Sequence, residues 1–209
     1  MDRPPRARLT VGPVTPADGP ASSARAAAAG GTIPSVPEPP LLTDGVVTLR
    51  PLDLSDVAAH LAGEDDELVR WLNGGPGTVE RVEAHVRRCL ASWAAGGPVF
   101  NFGIRTATGD LLVGTVDLQL HLSVLEPGQV NLAYGLYPAA RGRGFATRAV
   151  ELACRFGAFL PGIRQAVIRV DPRNHPSAAV AVRAGFRFVG HRVDSEEGGL
   201  DWYVRDLDG

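Results

Sequence analysis

The sequence predicts an α/β domain built on a mixed sheet of about seven strands, mostly antiparallel, with one central parallel β-α-β crossover. Two observations support this class. Three strand-like segments follow one another between residues 99 and 137 with no helix between them, which is typical of antiparallel pairing. An amphipathic segment over 144–159 then separates two further strand-like segments, which is the pattern of a parallel crossover.

The N-terminal segment differs in composition from the rest of the chain. Residues 1–40 hold nine of the 17 prolines and eight alanines. Such a segment buries little apolar surface and proline blocks regular pairing, so we expect a disordered tail. A single domain is expected over 41–209.

The first elements of that domain follow from alternation and capping residues. GVVTLRPLD predicts a strand ending near Arg50, and the segments 54–62 and 66–72 predict two short helices before the breaker GGPG. Thr78 predicts the start of a longer helix that runs to about Ala95, with apolar residues on one face.

The remaining elements alternate between strands and helices. Strands are predicted over 99–105, 111–121, 130–137, 165–170, 186–192 and 200–205, and helices over 144–159 and 176–184. The 144–159 helix has one apolar face, so we expect it to lie on the sheet.

Charge and cysteine content exclude several functions. The formal net charge is −2, which indicates neither a nucleic-acid nor a membrane partner, and no run of about 18 apolar residues occurs. All 21 basic residues are arginines, so lysine Schiff-base and Walker-lysine chemistry are excluded. Cys89 and Cys154 form no metal or disulfide pattern, which indicates a metal-free protein of the reducing cytoplasm.

The segment RGRGFATR, Arg141 to Arg148, is the main candidate binding site. Gly142 and Gly144 allow the backbone to approach a ligand closely, and the first turn of the following helix has no acidic residue. A helix start presents unpaired N–H groups and a partial positive charge, to which Arg141 and Arg143 add full charges. An anion, above all a diphosphate, is the expected occupant.

The segment Arg141 to Arg148 has three other interpretations. A glycine turn whose arginines point into water is the simplest. A Walker loop is excluded by its spacing and by the absence of lysine. A dinucleotide fingerprint is half met by GRGFAT, with Thr147 at the third glycine and Asp171 as a ribose acceptor. However, a dinucleotide fold needs several parallel β-α-β units, and the segments before and after this unit are predicted to be antiparallel.

Two motifs together resemble one family. Arg141-x-x-Gly144-x-Ala146, after a strand and before a helix, resembles the pyrophosphate loop of the GNAT acyltransferases. The segment VDPRNHPSAAVAVRAGFRFVG resembles a later signature of that family through Asn174, Ser177, Gly185-Phe186 and Gly190. GVVTLRPLDLSD is similar to its first strand and helix start. The resemblance covers about residues 44–206 and is strongest to the RimJ/RimL-like branch.

This resemblance implies a GNAT fold in which strands 130–137 and 165–170 splay apart. It implies an acyl-CoA, above all acetyl-CoA, as co-substrate and direct transfer of the acyl group to a primary amine, with a protein N-terminal amine favoured. The residues that it assigns to coenzyme A are Leu136, Tyr137, Arg141, Gly142, Arg143, Gly144, Phe145, Ala146, Thr147, Asn174 and Ser177.

The catalytic residues are less well indicated, because two family positions differ. A tyrosine that protonates the leaving thiolate in many members is replaced by Ala181, so Ser177 becomes the candidate acid. A glutamate in the strand before the loop is replaced by Asn131. The nearby titratable groups are His121, Glu126 and Asp117, and we take His121 and Glu126 as candidate bases.

Several further questions stay open from the sequence. The aromatic candidates for an acceptor pocket are Trp71, Trp93, Tyr134, Trp202 and Tyr203, with core packing expected for Trp93. A small amine such as an antibiotic or polyamine is the alternative acceptor, and a non-catalytic acyl-CoA-binding module is the alternative function. An acyl-CoA and an amine are the expected partners, with a homodimer as an open alternative to a monomer.

Overall fold

A computed structural model describes residues 40–73, 75–194 and 198–207, so the predicted N-terminal tail lies almost wholly outside the described residues. The strands are β1 Leu42–Thr43, β2 Val47–Pro51, β3 Val99–Thr106, β4 Leu112–Gln119, β5 Gln129–Leu136, β6 Gln165–Val170, β7 Arg187–Asp194 and β8 Gly198–Asp206. The helices are α1 Val57–Ala62, α2 Asp66–Leu68, α3 Val79–Ala94, α4 Phe145–Ala158 and α5 His175–Arg183. A 3₁₀ turn, Leu54–Asp56, precedes α1, and a π-helical turn, Val69–Asn73, continues α2.

The described strands form one open mixed sheet in the order β1-β2-β3-β4-β5-β6-β8-β7. All neighbours are antiparallel except β5 and β6, which are joined through α4. This confirms the predicted fold class, and the very short β1 makes the sheet one strand larger than expected. None of the helices in the described part of the chain has the length and apolar character needed to cross a membrane.

The parallel pair β5–β6 separates soon after it begins. Residue pairing covers three positions only, from Gln129 opposite Gln165 to Asn131 opposite Val167. Beyond Asn131, β5 continues for five residues and β6 continues to Val170. The two strands therefore splay at their carboxyl ends, as predicted, and leave a gap in the middle of the sheet.

Helix α4 covers one face of this sheet. Its buried residues include Phe145, Ala149, Leu152 and Ala153, which were predicted to form its apolar face. They join one large core cluster with strand residues from β2 to β6, among them Phe102 and Leu132. Removing this face from water holds α4, and with it the turn at residues 141–144, in a fixed position against β5.

The opposite face is covered on its β2–β5 side by α1, α2 and α3. Their apolar residues form a second cluster with Leu52, Leu112 and Tyr137. Gly135 of β5 allows a close approach, because a Cβ at this position would lie 2.4 Å from Leu72 Cδ1 and 2.6 Å from Leu68 Cδ2. Helix α2 therefore packs directly on the part of β5 that borders the gap.

A buried ion pair fixes the start of the α1 region to the sheet. Asp56 and Arg105 are only 4% and 5% exposed, and the Arg105 guanidinium donates to the Asp56 carboxylate. Arg105 Nη1 also donates to the Asp110 carbonyl oxygen at 2.7 Å. A buried charge without its partner is strongly destabilising, so each of the two groups depends on the other.

The variant Asp56→Asn should therefore lower the free energy of unfolding by about 3 kcal/mol, because it removes the buried carboxylate partner of Arg105 and leaves only the exposed Asp110 carboxylate, 3.3 Å from Nη1. Urea denaturation measures this loss. The control is Glu83→Gln, which breaks the exposed pair between Glu83 and Arg87 (2.8 Å) and should cost about 0.5 kcal/mol or less. Equal losses in the two variants would show that the Asp56 pair does not hold the fold.

Candidate acyl-CoA site and acceptor cleft

The turn before α4 forms an open cradle of backbone amides. Gly142 and Gly144 have φ values of 75° and 78°, a left-handed conformation that glycine adopts without steric cost. Gly144 is the N-cap of α4 and no side chain caps the helix. The first amide that bonds back is that of Arg148, to the Gly144 carbonyl at 3.3 Å, so the amides of residues 145–147 point outward at the positive end of the helix.

The space in front of these amides is open. A Cβ built at Gly142 or at Gly144 would meet no atom within 4 Å. Both glycines are exposed, whereas Phe145 and Ala146 are buried beneath them and Thr147 is half-buried. The buried residues thus hold the cradle in place, while its amides stay accessible to solvent. This is the geometry of an anion site at a helix start.

The arginines of this turn are not equivalent. Arg141 binds the Asp65 carboxylate through two hydrogen bonds of 2.7 and 2.8 Å, and its Nη1 lies 3.1 Å from Glu67. The hydrogen bond from Arg141 lowers the pKa of Asp65. Instead of offering a free charge to a ligand, Arg141 ties the turn to α2.

The other two arginines of this segment, Arg148 and Arg143, differ in their partners. Arg148 is held by Asp44 at 2.7 Å. Arg143 is exposed and lies over the Phe145 ring at 4.8 Å, and among the described residues no carboxylate is within ion-pair distance of it. The amides and Arg143 are therefore the groups of this turn that can bind an anion.

The backbone edge that faces the gap is at Tyr134. The predicted groups at residues 136 and 137 are already engaged, because the Tyr137 amide donates to Val113 O at 2.9 Å and Leu136 O accepts from Arg141 Nε at 3.1 Å. Backbone groups alternate in direction along a strand. Tyr134 lies three residues before Tyr137, so its N–H and C=O point away from β4 and into the gap.

The Tyr134 side chain connects β5 to α5. Its hydroxyl donates to the Ser177 carbonyl oxygen at 2.9 Å and lies 3.0 Å from Ser177 Oγ. Because the single phenol proton is used on the carbonyl, the Ser177 hydroxyl donates to the Tyr134 oxygen. Burial raises the pKa of Tyr134 to about 12, so the phenol stays protonated at neutral pH.

Asn174 stands at the start of α5 and has a structural role. Its Oδ1 accepts from the Ser177 amide at 3.2 Å, as an N-cap does. The same contact orients the first turn of α5, and therefore the Ser177 hydroxyl, toward the gap. Ala181, one turn further on, is fully buried and offers no functional group.

A line of hydrogen-bonded polar side chains crosses the other face of the sheet. The Asn101 amide donates to the Asp117 carboxylate, Asn131 Nδ2 donates to Gln119 Oε1 at 3.0 Å, and Arg169 Nε donates to Asn131 Oδ1 at 3.1 Å. Gln119 also hydrogen-bonds to Asp117. This line passes directly beside the gap.

Asp117 is the carboxylate of this line. Burial raises its pKa to about 6, while the hydrogen bonds from Asn101 and Gln119 act in the opposite direction. Asp117 lies opposite Ala133 of β5, and both are partly exposed to solvent. A carboxylate that ionises near neutrality therefore lies one strand away from the gap, at the floor of a cleft.

His121 and Glu126 lie elsewhere. Both are exposed in the connection between β4 and β5, and Glu126 is 4.0 Å from Arg192. This connection leads into Gln129, five residues or about 17 Å along β5 from Tyr134. No hydrogen bond or ion pair among the described residues joins either of these two candidates to Ser177.

The aromatic candidates separate into core and cleft residues. Trp93 packs among Phe100, Phe102 and Phe156, and Tyr203 is buried in the same cluster. Trp71 lies near the gap, with the Arg70 guanidinium 4.3 Å and that of Arg173 5.9 Å from its ring. Trp202 lies on the cleft face of β8 beneath Arg192.

The cysteines are not suited to covalent catalysis. Both are free and buried, and burial raises the pKa of Cys89 and of Cys154 to about 12. A thiol of this kind does not ionise at neutral pH. Neither cysteine is therefore a candidate nucleophile for a covalent acyl-enzyme intermediate.

Comparison with known proteins identifies the family. The model of the acetyltransferase (GNAT) domain family matches residues 47–187. The chain belongs to the GNAT acetyltransferase family. A probable N-acetyltransferase of Bacillus subtilis, YjcK, is 35% identical over 92 residues, which are 44% of this chain and 50% of YjcK. The chain thus matches only half the length of this relative.

Solved structures share the fold at low sequence identity. RimL, a ribosomal L7/L12 alpha-N-protein acetyltransferase in complex with coenzyme A, has a TM-score of 0.69 at 20% identity, over 81% of this chain and 99% of RimL. The microcin C7 self-immunity acetyltransferase MccE, in complex with acetyl-CoA and AMP, has a TM-score of 0.66 at 15% identity, over 79% and 94%. The GNAT fold and the splayed strands predicted from the sequence are thereby confirmed.

Two residues of this site are only weakly indicated by the sequence. It predicts Tyr134 only as a pocket aromatic and Asp117 only as a nearby acid. The alternation of β4 and β5 places their side chains on opposite faces of the sheet. That pattern was visible in the sequence, but their partners were not.

The cradle can be tested with a pair of glycine variants. Gly144 and Gly162 have the same φ of 78°, and in both cases an added Cβ meets no atom within 4 Å. Alanine at either site should cost about 1 kcal/mol of stability through backbone strain. If the amides of residues 145–147 bind a diphosphate, only Gly144→Ala should also weaken coenzyme A binding, by tenfold or more in calorimetry. Equal affinities in the two variants would exclude the cradle as the binding site.

Proposed function

We propose that this protein is an acyl-CoA-dependent N-acetyltransferase that transfers an acetyl group directly to a primary amine. The observation that carries the proposal is the open amide cradle at the start of α4, next to a gap between two parallel strands. A cradle for a diphosphate and a slot for an extended chain are adjacent here, and coenzyme A has both parts. Bound acetyl-CoA supplies an activated acyl thioester.

The residues that hold the donor follow from this geometry. The amides of residues 145–147 and the Arg143 guanidinium would bind the diphosphate. The Tyr134 N–H and C=O, which face the gap, would pair with the amides of the pantetheine arm. These backbone groups are pre-positioned by β5, so little reorganisation accompanies binding.

The pair Tyr134–Ser177 would assist departure of the thiolate. The phenol is a weak acid with a pKa of about 12, so full proton transfer to a thiolate is unfavourable. If the Ser177 hydroxyl turns its proton from the Tyr134 oxygen to the sulfur, this hydrogen bond stabilises the charge that develops there, while Tyr134 stays bonded to the Ser177 carbonyl oxygen. Tyr134 thus supplies from β5 a phenol that the family motif places on α5, where this chain has Ala181.

Asp117 would accept the proton from the amine. Its carboxylate lies on the cleft face, opposite Ala133 and next to the gap, and its pKa of about 6 makes it an effective base at neutral pH. Asn101 and Gln119 hold it in place. The two family positions that this chain lacks therefore have chemical substitutes, which favours an enzyme over a non-catalytic acyl-CoA-binding module.

A protein N-terminal amine, in the RimJ/RimL manner, is the acceptor that we favour. RimL shares the fold over most of both chains, and Asp117 is partly exposed on the sheet face that borders the gap. Small amines are the second candidate class, since MccE has the same fold at a similar TM-score.

Thiol release from acetyl-CoA tests the proposal. A peptide with a free N-terminal serine should stimulate release, and the same peptide with an acetylated N-terminus should not. Spermidine and an aminoglycoside serve as small-amine arms, and their preference over the peptide would identify the second class. Coenzyme A binding without stimulation by any amine would contradict catalysis and indicate a binding module.

Asp117→Asn should lower kcat/KM by about 100-fold at pH 8, because an amide cannot accept the proton. Below about pH 6, kcat/KM of the unaltered protein should fall about 100-fold per pH unit, because the N-terminal amine (pKa about 8) and Asp117 both take up protons. In the variant only the amine titrates, so the fall should be about tenfold per unit. Glu126→Gln is the comparison. If that variant instead loses activity and the acidic limb while Asp117→Asn keeps both, the base is Glu126.

The same variant should be more stable than the native protein at high pH. The folded-state pKa of Asp117 is raised, so the folded state binds this proton more tightly than the unfolded chain does. The resulting stabilisation is present below about pH 4 and is lost as pH rises through about 6. Asp117→Asn should thus raise Tm by a few degrees at pH 8 and by less at pH 5. A lower Tm at pH 8 would indicate that any activity loss reflects damaged folding.

A further inference from the structure

Two leucines lie over β5 beside the gap, on the sheet face that α2 covers. Gly135 directly follows Tyr134, the residue whose backbone points into the gap. A Cβ at Gly135 would lie 2.4 Å from Leu72 Cδ1 and 2.6 Å from Leu68 Cδ2, so the leucine methyl groups occupy the space that a side chain would fill. Leu68 is buried, whereas Leu72 is half-buried and keeps exposed surface.

The turn that carries Leu72 reaches across the gap. Trp71 precedes Leu72 in the π-helical turn Val69–Asn73. The Arg173 guanidinium, from the connection between β6 and α5, lies 5.9 Å from the Trp71 ring and is held by Asp171, to which Arg173 Nε donates at 2.8 Å. A cation over an aromatic ring at this distance is attracted to it. The turn thus rests on β5 through Leu72 and meets the β6 side through Trp71.

The two faces of the gap carry different groups. On the α5 face, the Tyr134 side chain reaches Ser177, beside which the proposed function places the donor sulfur. On the other face lies Asp117, the proposed base. Asp117 pairs with the residue two positions before Gly135, and strand residues two apart share a face, so Gly135 faces this side too. The thioester carbon must lie between sulfur and amine, in the gap at the level of Tyr134 and Gly135.

The space for a longer acyl chain is therefore limited. The pantetheine arm fills the gap on the donor side, and the amine must approach the thioester carbon from the face that carries Asp117. Because both of these paths must stay open, a chain longer than acetyl has to run along β5 at Gly135. Leu72 and Leu68 close the space at that point.

We propose that Leu72 limits the donor to acetyl-CoA, with Leu68 packed beside it. An acetyl methyl group fits next to Gly135, whereas each added methylene meets the Leu72 side chain. The inference rests on the proposed N-acetyltransferase function and adds a residue that determines donor specificity. The reaction is unchanged: the amine nitrogen bonds to the acyl carbon, the carbon–sulfur bond breaks, one amine proton passes to Asp117 and the thiolate leaves as coenzyme A.

Thiol release from acetyl-, propionyl- and butyryl-CoA tests the inference, with whichever amine gives the fastest release as acceptor. A methylene that a pocket cannot accommodate costs about tenfold or more in kcat/KM, so the unaltered protein should prefer acetyl-CoA over butyryl-CoA by about 100-fold or more. In Leu72→Ala this ratio should fall to about 5 or less, because the shorter side chain leaves room for the added methylenes. Leu72→Val, which disturbs the packing less, should admit propionyl-CoA and still reject butyryl-CoA.

Leu61→Ala is the matched control. Leu61 is a partly buried leucine of the same apolar cluster, but its Cδ1 packs at Gly77, where an added Cβ would lie 3.1 Å away. This variant loses the same atoms and should keep the full preference for acetyl-CoA. A ratio near 1 in the unaltered protein, an unchanged ratio in Leu72→Ala, or an equal fall in the two alanine variants would overturn the inference.

A binding measurement separates this inference from the proposed function. Acetyl-CoA and butyryl-CoA are titrated by calorimetry without an amine, which requires no turnover. Acetyl-CoA should bind about tenfold more tightly than butyryl-CoA, because inserting methylenes into a filled space is unfavourable. Leu72→Ala should abolish this difference and Leu61→Ala should keep it. Equal binding of the two thioesters to the unaltered protein contradicts the inference even if the enzyme is active. A preserved difference without thiol release contradicts the proposed function and leaves the limit on the acyl chain standing.

Discussion

The short pairing between β5 and β6 is the constraint on which the rest of the site depends. Three residue pairs hold the strands together before they separate, and each strand continues beyond that point. Backbone N–H and C=O groups in the interior of a sheet normally find partners there, and leaving them without any is costly. The molecule supplies one such partner itself, because Arg141 Nε donates a hydrogen bond to the Leu136 carbonyl oxygen. The Tyr134 hydroxyl also links β5 to α5 by donating to the Ser177 carbonyl oxygen. The Tyr134 backbone remains directed into the gap, where an extended ligand with amide groups can complete the sheet.

Around this gap, the position of each charged group matters more than the net charge of the region. Arg141, which the motif suggests for the diphosphate, is paired with Asp65 and Glu67. It thereby links the turn at residues 141–144 to α2. Anion binding is left to backbone amides that α4 holds in place and to Arg143. Such groups are already oriented before a ligand arrives, so their interaction is not reduced by the entropy of ordering long side chains.

Much of the fold could be predicted from the sequence, because local signals determine it. Alternation identified the strands, Thr78 marked the start of α3, and the apolar face of α4 placed that helix on the sheet. The amide cradle was also predictable, since two glycines followed by an uncapped helix have a local physical meaning. Contacts between distant residues were not predictable in this way. The Arg141–Asp65 pair joins residues 76 positions apart, and the Tyr134–Ser177 contact joins residues 43 positions apart. Proximity in sequence made His121 and Glu126 attractive as bases, but where the connection that carries them folds depends on distant contacts, since its Val124 and Leu125 pack against Val167 and Trp202. The raised pKa of Asp117 arises from burial, which a sequence shows only indirectly.

A structure of the protein with coenzyme A bound tests the central claim most directly. The account predicts diphosphate oxygens within hydrogen-bond distance of the amides of residues 145–147, the pantetheine arm paired with the Tyr134 backbone, and the sulfur beside the Tyr134 and Ser177 hydroxyls. A diphosphate bound away from this cradle, or a pantetheine arm that leaves the gap between β5 and β6 empty, would contradict it.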